Sequence, residues 1–296
     1  MDRFDEMRVF IRVVETRSFR RSAESLGLPP STVSDVIKRM EARLNIRLLD
    51  RTTRVVAPTL DGEAWYRRCL DIVDRVEDAE AAFSDDVVRG RLRVDVHGTL
   101  ARHFLLPGLP EFLARHPDLE LVLSEGDRLV DLIREGVDCV VRVGTPDDSD
   151  LIQRRLCSLG EAVVGSPGYF ERQGVPQTPE DLDGHRCVAF LSSRTGTPMD
   201  LSFASGGAEI TRPLPATLVV TGAETMLDAA RRGLGLIQAP RYHLEADLAA
   251  GRLVEVLSGF APDPTPVLAL YPRDRQLSPR LRVFLDWLST RFSPAG

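Results

Sequence analysis

The chain has 296 residues, enough for two or three compact domains with cores of their own. At 43% apolar and 28% charged it has the composition of an ordinary water-soluble protein, and no run of about 18 apolar residues is present to span a membrane. A formal net charge of −6 excludes a protein that binds nucleic acid with its whole surface, but the charge is uneven: residues 1–60 carry 12 Lys and Arg against 8 Asp and Glu, a balance of +4, and the rest carries 26 against 36, a balance of −10.

Met1-Asp-Arg-Phe-Asp-Glu6 is charged from the start, unlike an export signal. Cys69, Cys139, Cys157 and Cys187 have no CxxC spacing and do not form a disulfide framework, so a reducing cytoplasm is expected. Lys38 stands alone among arginines, which reflects base composition more than function.

Phe4, Met7, Phe10, Ile11 and Val14 share one face of a first amphipathic helix. Ser18 is placed to cap a second helix, with Phe19, Ala23 and Leu26 on its apolar side and Gly27 as its stop. Pro29-Pro30 breaks the chain and suits the first turn of a third helix, which buries Val33, Val36, Ile37, Met40 and Leu44. The opposite face presents Ser31, Thr32, Ser34, Asp35, Lys38 and Arg39. A short helix, a turn with Gly and a helix with small polar and basic residues at its front is the helix-turn-helix pattern. Asn45 tolerates the left-handed dihedrals that end such a helix. Arg51, Thr52 and Arg54 then lie at the tip of a basic hairpin before Val55-Val56, a wing whose arginines reach phosphate or minor groove.

From Thr59 to about residue 88 one long helix is expected. Trp65, Cys69, Ile72, Val76, Ala79 and Phe83 recur at spacings of 4, 3, 4, 3 and 4, the stripe of a coiled-coil seam. Such a seam needs a partner, most economically the same helix of a second copy, and Cys69 is then a small hydrophobe within it. From Arg91 onward strands and helices alternate: strands at 92–96, 119–123, 139–143, 161–164, 187–190, 216–220, 236–238 and 267–271, and helices at 105–115, 129–135, 223–232 and 279–292. This βαβ alternation predicts a mainly parallel sheet.

Read together, Ser18-Phe19, Ala23, Leu26, Val33-Ser34, Ile37, Met40-Glu41, Leu44 and Leu48-Leu49-Asp50-Arg51 resemble the signature of LysR-type transcriptional regulators. Residues 107–112, His116-Pro117, 127–131, 135–138, 142–144, 166–169 and Gly233-Leu-Gly235 are similar to landmarks of that family's regulatory domain, most like its CrgA-like subgroup. The resemblance implies a winged helix-turn-helix head (1–58), a dimerising linker helix (59–90) and a two-lobed α/β effector domain similar to type II periplasmic binding proteins (91–296). Lobe one would take 91–162 and 267–296, and lobe two 163–266. Asp35 departs from the basic or neutral residue usual there; it costs affinity beside phosphates but can accept from a cytosine amine. Asn45 stands where the family often has Gly.

On this reading Lys38, Arg39, Arg51 and Arg54 neutralise phosphates, while Ser31, Ser34, Asp35 and Lys38 read base edges in double-stranded promoter DNA. Arg43 and Arg47 are assigned to surface or intramolecular pairs. The effector is expected between the lobes, at His97, Thr99, Leu100, Arg102, Ser124 and Glu125 from lobe one and Phe190, Ser192, Gly222 and Ala223 from lobe two, with Thr99 at the family's hydroxyl position. Hydroxyls and helix-start amides favour a carboxylate or other anion, and Glu125 argues for a cationic or donor group. Implied partners are a second copy, as dimer or tetramer, and RNA polymerase; no cofactor, metal or membrane is called for. An enzyme is disfavoured, since HExxH, GxSxG and GxxxxGK[ST] are missing and Gly233-Leu-Gly235 follows a helix rather than a strand. A solute-binding protein would explain the lobes but not residues 1–88. A redox switch at Cys157, beside Arg154 and Arg155, is the nearer alternative.

Overall fold

A computed structural model describes the whole chain except residues 52–55, 82–87, 127–131, 133–135, 145–150, 274–277 and 293–296. The head begins with α1 (Arg3–Thr16), where Asp2 and Asp5 form a reciprocal capping box. The Ser18 hydroxyl caps α2 (Phe19–Leu26) by accepting from the Arg21 amide, and Gly27 closes it in the left-handed region. Pro30 opens α3 (Pro30–Leu44), and Asn45 ends it at φ 53°. Val33, Val36, Ile37 and Met40 are fully buried against Phe10, Val13 and Ala23. β1 (Leu49–Arg51) and β2 (Val56–Pro58) pair antiparallel as the wing; Thr52 and Arg54 lie outside the described residues.

The described part of the linker helix, α4, spans Leu60–Ala81; residues 82–87 of the expected helix lie outside the described residues. Its apolar stripe is divided between two tasks. Cys69 is fully buried in the head's core beside Leu70 and Val73, and the Trp65 indole N–H points to Met40 Sδ at 3.2 Å. Cys69 therefore closes the head on itself instead of joining an open seam, a correction for that residue, and Trp65 is half-buried beside it. The three-helix core leaves a side of α1 open, and the first turns of α4 cover it. Ile72, Val76 and Ala79 remain exposed; Phe83 is not described.

The body then runs through β3 (Gly90–Val96), the helical turn α5 (Gly98–Leu100), a π turn (Ala101–Leu105), a 3-10 turn (Leu106–Gly108) and α6 (Leu109–Arg115). β4 (Leu119–Glu125), β5 (Cys139–Val143) and β6 (Ile152–Leu159) follow. Next come β7 (Glu161–Gly165), α7 (Pro167–Gln173), β8 (Cys187–Phe190), the hairpin β9 (Leu201–Ser205) and β10 (Ala208–Arg212), and β11 (Ala216–Val220). The chain closes with α8 (Ala223–Arg231), β12 (Ile237–Pro240), α9 (Arg241–Ala249), β13 (Val254–Val256), β14 (Thr265–Tyr271) and α10 (Pro279–Phe292).

Lobe one is a five-stranded sheet in the order β4-β3-β5-β14-β6, and β7 lies at the centre of a separate sheet in the order β12-β7-β13. Sheet pairing thus changes at Gly160, two residues before the expected lobe boundary. The sheets are mixed, not mainly parallel. β3 pairs parallel with β4 and β5, and β8 with β11, but β14 returns antiparallel between β5 and β6, and β7 pairs antiparallel on both sides. The departure has a topological cause. β14 re-enters lobe one from lobe two and is not delivered by a local crossover helix. Leu92, Val94 and Val96 alternate onto one face of β3 and pack with Phe112, Phe284 and Leu288. The helix expected at 105–115 begins regular α geometry only at Leu109; of the one expected at 129–135 only Leu132 is described, helical and buried. No helix among the described residues is long and apolar enough to cross a membrane.

Candidate DNA interface and interlobe site

Burial of Val33, Val36, Ile37 and Met40 fixes which side of α3 faces outward. Ser31, Asp35, Lys38 and Arg39 are exposed there, and Thr32 and Ser34 are half-buried beside them. Lys38 Nζ lies 4.0 Å from Asp35 Oδ1, a solvent-exposed pair that phosphates can break cheaply. The nearly buried Glu6 holds Arg43 at 2.5 Å and approaches the Arg39 guanidinium at 3.8 Å. Arg43 is thereby an intramolecular partner, while Arg39 stays 60% exposed. Glu41 Oε1 accepts from the amides of Leu48 (2.9 Å) and Leu49 (3.2 Å), which fixes the wing to α3. Arg51 closes β1 opposite Val56.

Between the lobes the structure gathers a cluster that only partly coincides with the expected one. Thr99 Oγ1 is shared by His97 Nδ1 at 2.8 Å and the Tyr242 hydroxyl, from α9 of lobe two, at 2.7 Å. His103 and Phe104 pack edgewise or tilted on the Tyr242 ring, with centroids 4.9 and 5.0 Å away. Burial pushes the Tyr242 hydroxyl up to about 12, with the Thr99 hydrogen bond opposing it, so the phenol stays protonated. Arg102 bridges Glu224 of lobe two at 3.2 Å and Glu125 of lobe one at 3.8 Å, and His243 Nε2 meets the same Glu224 at 3.3 Å. Burial lowers the pKa of His243, against the pull of Glu224.

The remaining expected residues are placed differently. Leu100 is fully buried in lobe one's core, so its side chain is structural. The Ser124 hydroxyl donates to Asp95 at 2.5 Å, and Asp95 pairs with Arg142, which ties Ser124 into lobe one's own network. Phe190 packs, partly buried, against the lobe-two core cluster that includes Val188, Met226 and Leu227. Ser192 Oγ accepts from the Thr195 amide, while Gly222 and Ala223 open α8, which carries Glu224. Tyr242 and Glu224 were missed because their lobe-one partners, Thr99 and Arg102, lie more than a hundred residues away, and His243 because no local pattern marks its pairing with Glu224. Arg102's charge is already balanced by two carboxylates, so an anionic ligand must displace one of them.

Burial pushes the thiols of Cys69, Cys139 and Cys187 up. It also raises that of Cys157, with Arg155 pulling the other way, which reverses the direction expected for a reactive thiol. Arg154 is engaged by Asp286 at 2.9 Å. Among the described residues no group of His, Cys, Asp and Glu could hold a metal ion.

Comparison with known proteins agrees with this arrangement. Residues 4–63 match the "bacterial regulatory helix-turn-helix protein, lysR family" model, and residues 85–293 match the "LysR substrate binding domain" model. The chain is 38% identical over 291 residues to the uncharacterized HTH-type transcriptional regulator YhjC of Escherichia coli, covering 98% of this chain and 97% of that one. It is 33% identical over 295 residues to an HTH-type transcriptional repressor of Pseudomonas aeruginosa, covering 99% and 93%. Its fold superposes on the solved structure of CrgA, a LysR-type regulator from Neisseria meningitidis, with a TM-score of 0.64 and 32% identity over 98% of both chains.

Proposed function

This chain belongs to the LysR family of DNA-binding transcriptional regulators, and from that premise we propose how it reads DNA and what it answers to. The exposed front of α3, seated on a fully buried opposite face, supports the DNA assignment. Ser31, Thr32, Ser34 and Asp35 read base edges in the major groove, and Lys38, Arg39, Arg51, Thr52 and Arg54 hold the flanking phosphates. The exposed Ile72, Val76 and Ala79 pair two α4 helices from two copies, so that two heads engage spaced half-sites. The protein acts in the cytoplasm, where a change in head spacing alters access of RNA polymerase to the promoter.

The effector is a small carboxylate-bearing molecule that enters between the lobes. One of its oxygens takes the hydroxyls of Thr99 and Tyr242, and its carboxylate replaces Glu224 on Arg102, which loosens one lobe from the other. A thiol switch at Cys157 is not favoured, because burial works against the thiolate.

A footprint on the DNA upstream of the gene tests the DNA assignment. Wild type is expected to protect two half-sites, and Lys38→Ala with Arg51→Ala to lose protection. Lys38→Ala alone should reduce the slope of log K against log salt by about 1, as one phosphate contact disappears. An unchanged slope would remove Lys38 from the phosphate contacts.

A further inference from the structure

Lobe two has a cavity of about 240 Å³ at its far end, where α7, the turn after α8 and the starts of β8 and β11 meet. Tyr169, Arg172, Gln173, Arg186, Thr217 and Leu234 line it, with Gly233 at its edge. No carboxylate is among them, although the chain beyond residue 60 carries a net charge of −10. Elsewhere in lobe two arginines are tied to acids: Arg212 to Glu180, Arg231 to Asp247 and Asp228, Arg241 to Glu255, Arg252 to Asp247. The two arginines of the cavity differ. Arg172 Nη2 donates to the Gly233 carbonyl at 3.0 Å, and the Arg186 guanidinium meets no carboxylate among the described residues.

The cavity is built, not incidental. The buried Tyr169 hydroxyl donates to the Arg186 carbonyl at 3.2 Å and accepts from the Arg186 amide at 3.0 Å, so the backbone that carries the guanidinium is fixed. Gly233 has φ +72°, and a Cβ there would lie 3.0 Å from Arg172 Nη2 and 3.1 Å from Ser166 Oγ. The left-handed φ favours glycine here, and its missing Cβ lets the Arg172 guanidinium and Ser166 lie close to the turn. Burial raises the Tyr169 phenol pKa, and both guanidiniums pull against that rise, as cations close to its oxygen must. Arg186 and Thr217 lie at the starts of β8 and β11, whereas Ser192 and Gly222 follow their ends. One strand of roughly 15 Å separates this cavity from the interlobe side.

We propose that this cavity is a second ligand site, selective for a small organic oxyanion with two or more negative charges. The guanidiniums of Arg172 and Arg186 grip its oxygens, Gln173 and Thr217 add neutral donors, and Leu234 with the Tyr169 ring covers its carbon skeleton. The site is independent of the interlobe effector.

Calorimetric titration of the full-length protein with citrate and, separately, inorganic phosphate, at ionic strength held with sodium chloride, tests this. Saturable binding of citrate at one site per chain is expected, stronger than that of phosphate because the carbon skeleton is also covered. Arg186→Gln, which removes an exposed group without a carboxylate partner among the described residues, should weaken it about tenfold, the loss of one charge-assisted contact. Arg115→Gln removes the same charge from α6 and should leave binding unchanged. Absence of saturable uptake, or equal uptake in wild type and Arg186→Gln, overturns the proposal. So does loss of uptake in Thr99→Val, which would move the anion to the interlobe cluster. If Arg186→Gln alters sedimentation but not citrate uptake, these arginines serve a contact between copies and the ligand site is refuted.

Discussion

Asp247 illustrates how one residue can hold a lobe together. It is 1% exposed, and its two oxygens accept from Arg231 Nε (2.9 Å) and Nη2 (2.5 Å) and from Arg252 Nε (2.5 Å). The hydrogen bonds from Arg231 and then Arg252 hold its carboxyl below the usual carboxylate range despite burial. A depressed native pKa adds stability that is complete above the unfolded value of about 3.9 and drains away as pH falls through the native one. Asp247→Asn should therefore lower the melting temperature at pH 7 and flatten its decline below about pH 4. The two arginines keep access to solvent, so the cost at neutral pH is about 2 kcal/mol, below the 3–5 of a sealed pair, or about 5 °C. Calorimetric melts of both proteins from pH 7 down to pH 3 check this; parallel acid declines would show that Asp247 is not the group. Residues whose partners are local were readable beforehand: the Ser18 cap, the Gly27 and Asn45 stops and the polar front of α3 all follow from neighbours within four positions. Asp247 and Tyr242 were not, since their roles arise from partners that only the tertiary fold brings near.

At the scale of elements, α4 shows what periodicity leaves open. A 3-4 stripe identifies an apolar face but not what covers it. The stripe of Trp65, Cys69, Ile72, Val76 and Ala79 wraps far enough around the helix to serve two partners, and the structure turns Cys69 inward and Ile72 and Val76 outward. Ile72→Glu with Val76→Glu should yield a monomer by sedimentation velocity while the head's thermal transition stays in place. Cys69→Ser, which buries a hydroxyl without a partner, should destabilise the head by about 1–2 kcal/mol and leave assembly intact. If the outcomes were exchanged, the two faces of α4 would have been assigned backwards. Among strands, the βαβ units at β3, β4 and β5 were legible because β3 and β4 place Leu92, Val94 and Val96 and Leu119, Leu121 and Leu123 at alternate positions and β5 runs Cys139-Val-Val141. β6 reads Ile-Gln-Arg-Arg-Leu-Cys-Ser-Leu, with arginines masking its alternation at the sheet edge, and β9, β10, β13 and α9 are short elements of lobe two. β14 was expected, but its antiparallel return was not, because direction in a sheet depends on where the chain has been and not on the strand's own residues.

For the molecule as a whole, the order of head, linker and lobes was legible, and the way the head is tied to lobe one was not. Asp74 of α4 is 6% exposed and faces two body arginines: Arg93 of β3 at 3.1 Å and Arg280 of α10, itself 2% exposed, at 3.6 Å. Glu77 reaches Arg280 at 3.9 Å, and Arg91 joins Glu15 of α1 to Glu120 of β4. Gly90 marks the passage between the two parts: at φ +96° a Cβ there would lie 2.7 Å from Arg280 Nη1. Around these pairs a cavity of about 260 Å³ separates the apolar sides of Ile11, Leu70 and Val73 from the sheet. The junction is therefore fastened by a few directional charges and little apolar surface, a combination that holds one geometry and releases when a pair is removed. Any reorientation of lobe one transmitted through β3 or α10 reaches α4 at Asp74. Asp74→Ala leaves Arg280 buried opposite a missing charge and should cost the junction about 3–5 kcal/mol. The head, whose core of Val33, Val36, Ile37 and Met40 does not involve Asp74, should stay folded and bind DNA. Hydrogen exchange read peptide by peptide separates the possibilities. Faster exchange in the second half of α4, at the start of β3 and at the start of α10, with α2 and α3 unchanged, identifies Asp74 as the fastening between head and body. Uniform acceleration would mean that it supports the fold generally, and no change would mean that the apolar contacts of α4 hold the junction without it.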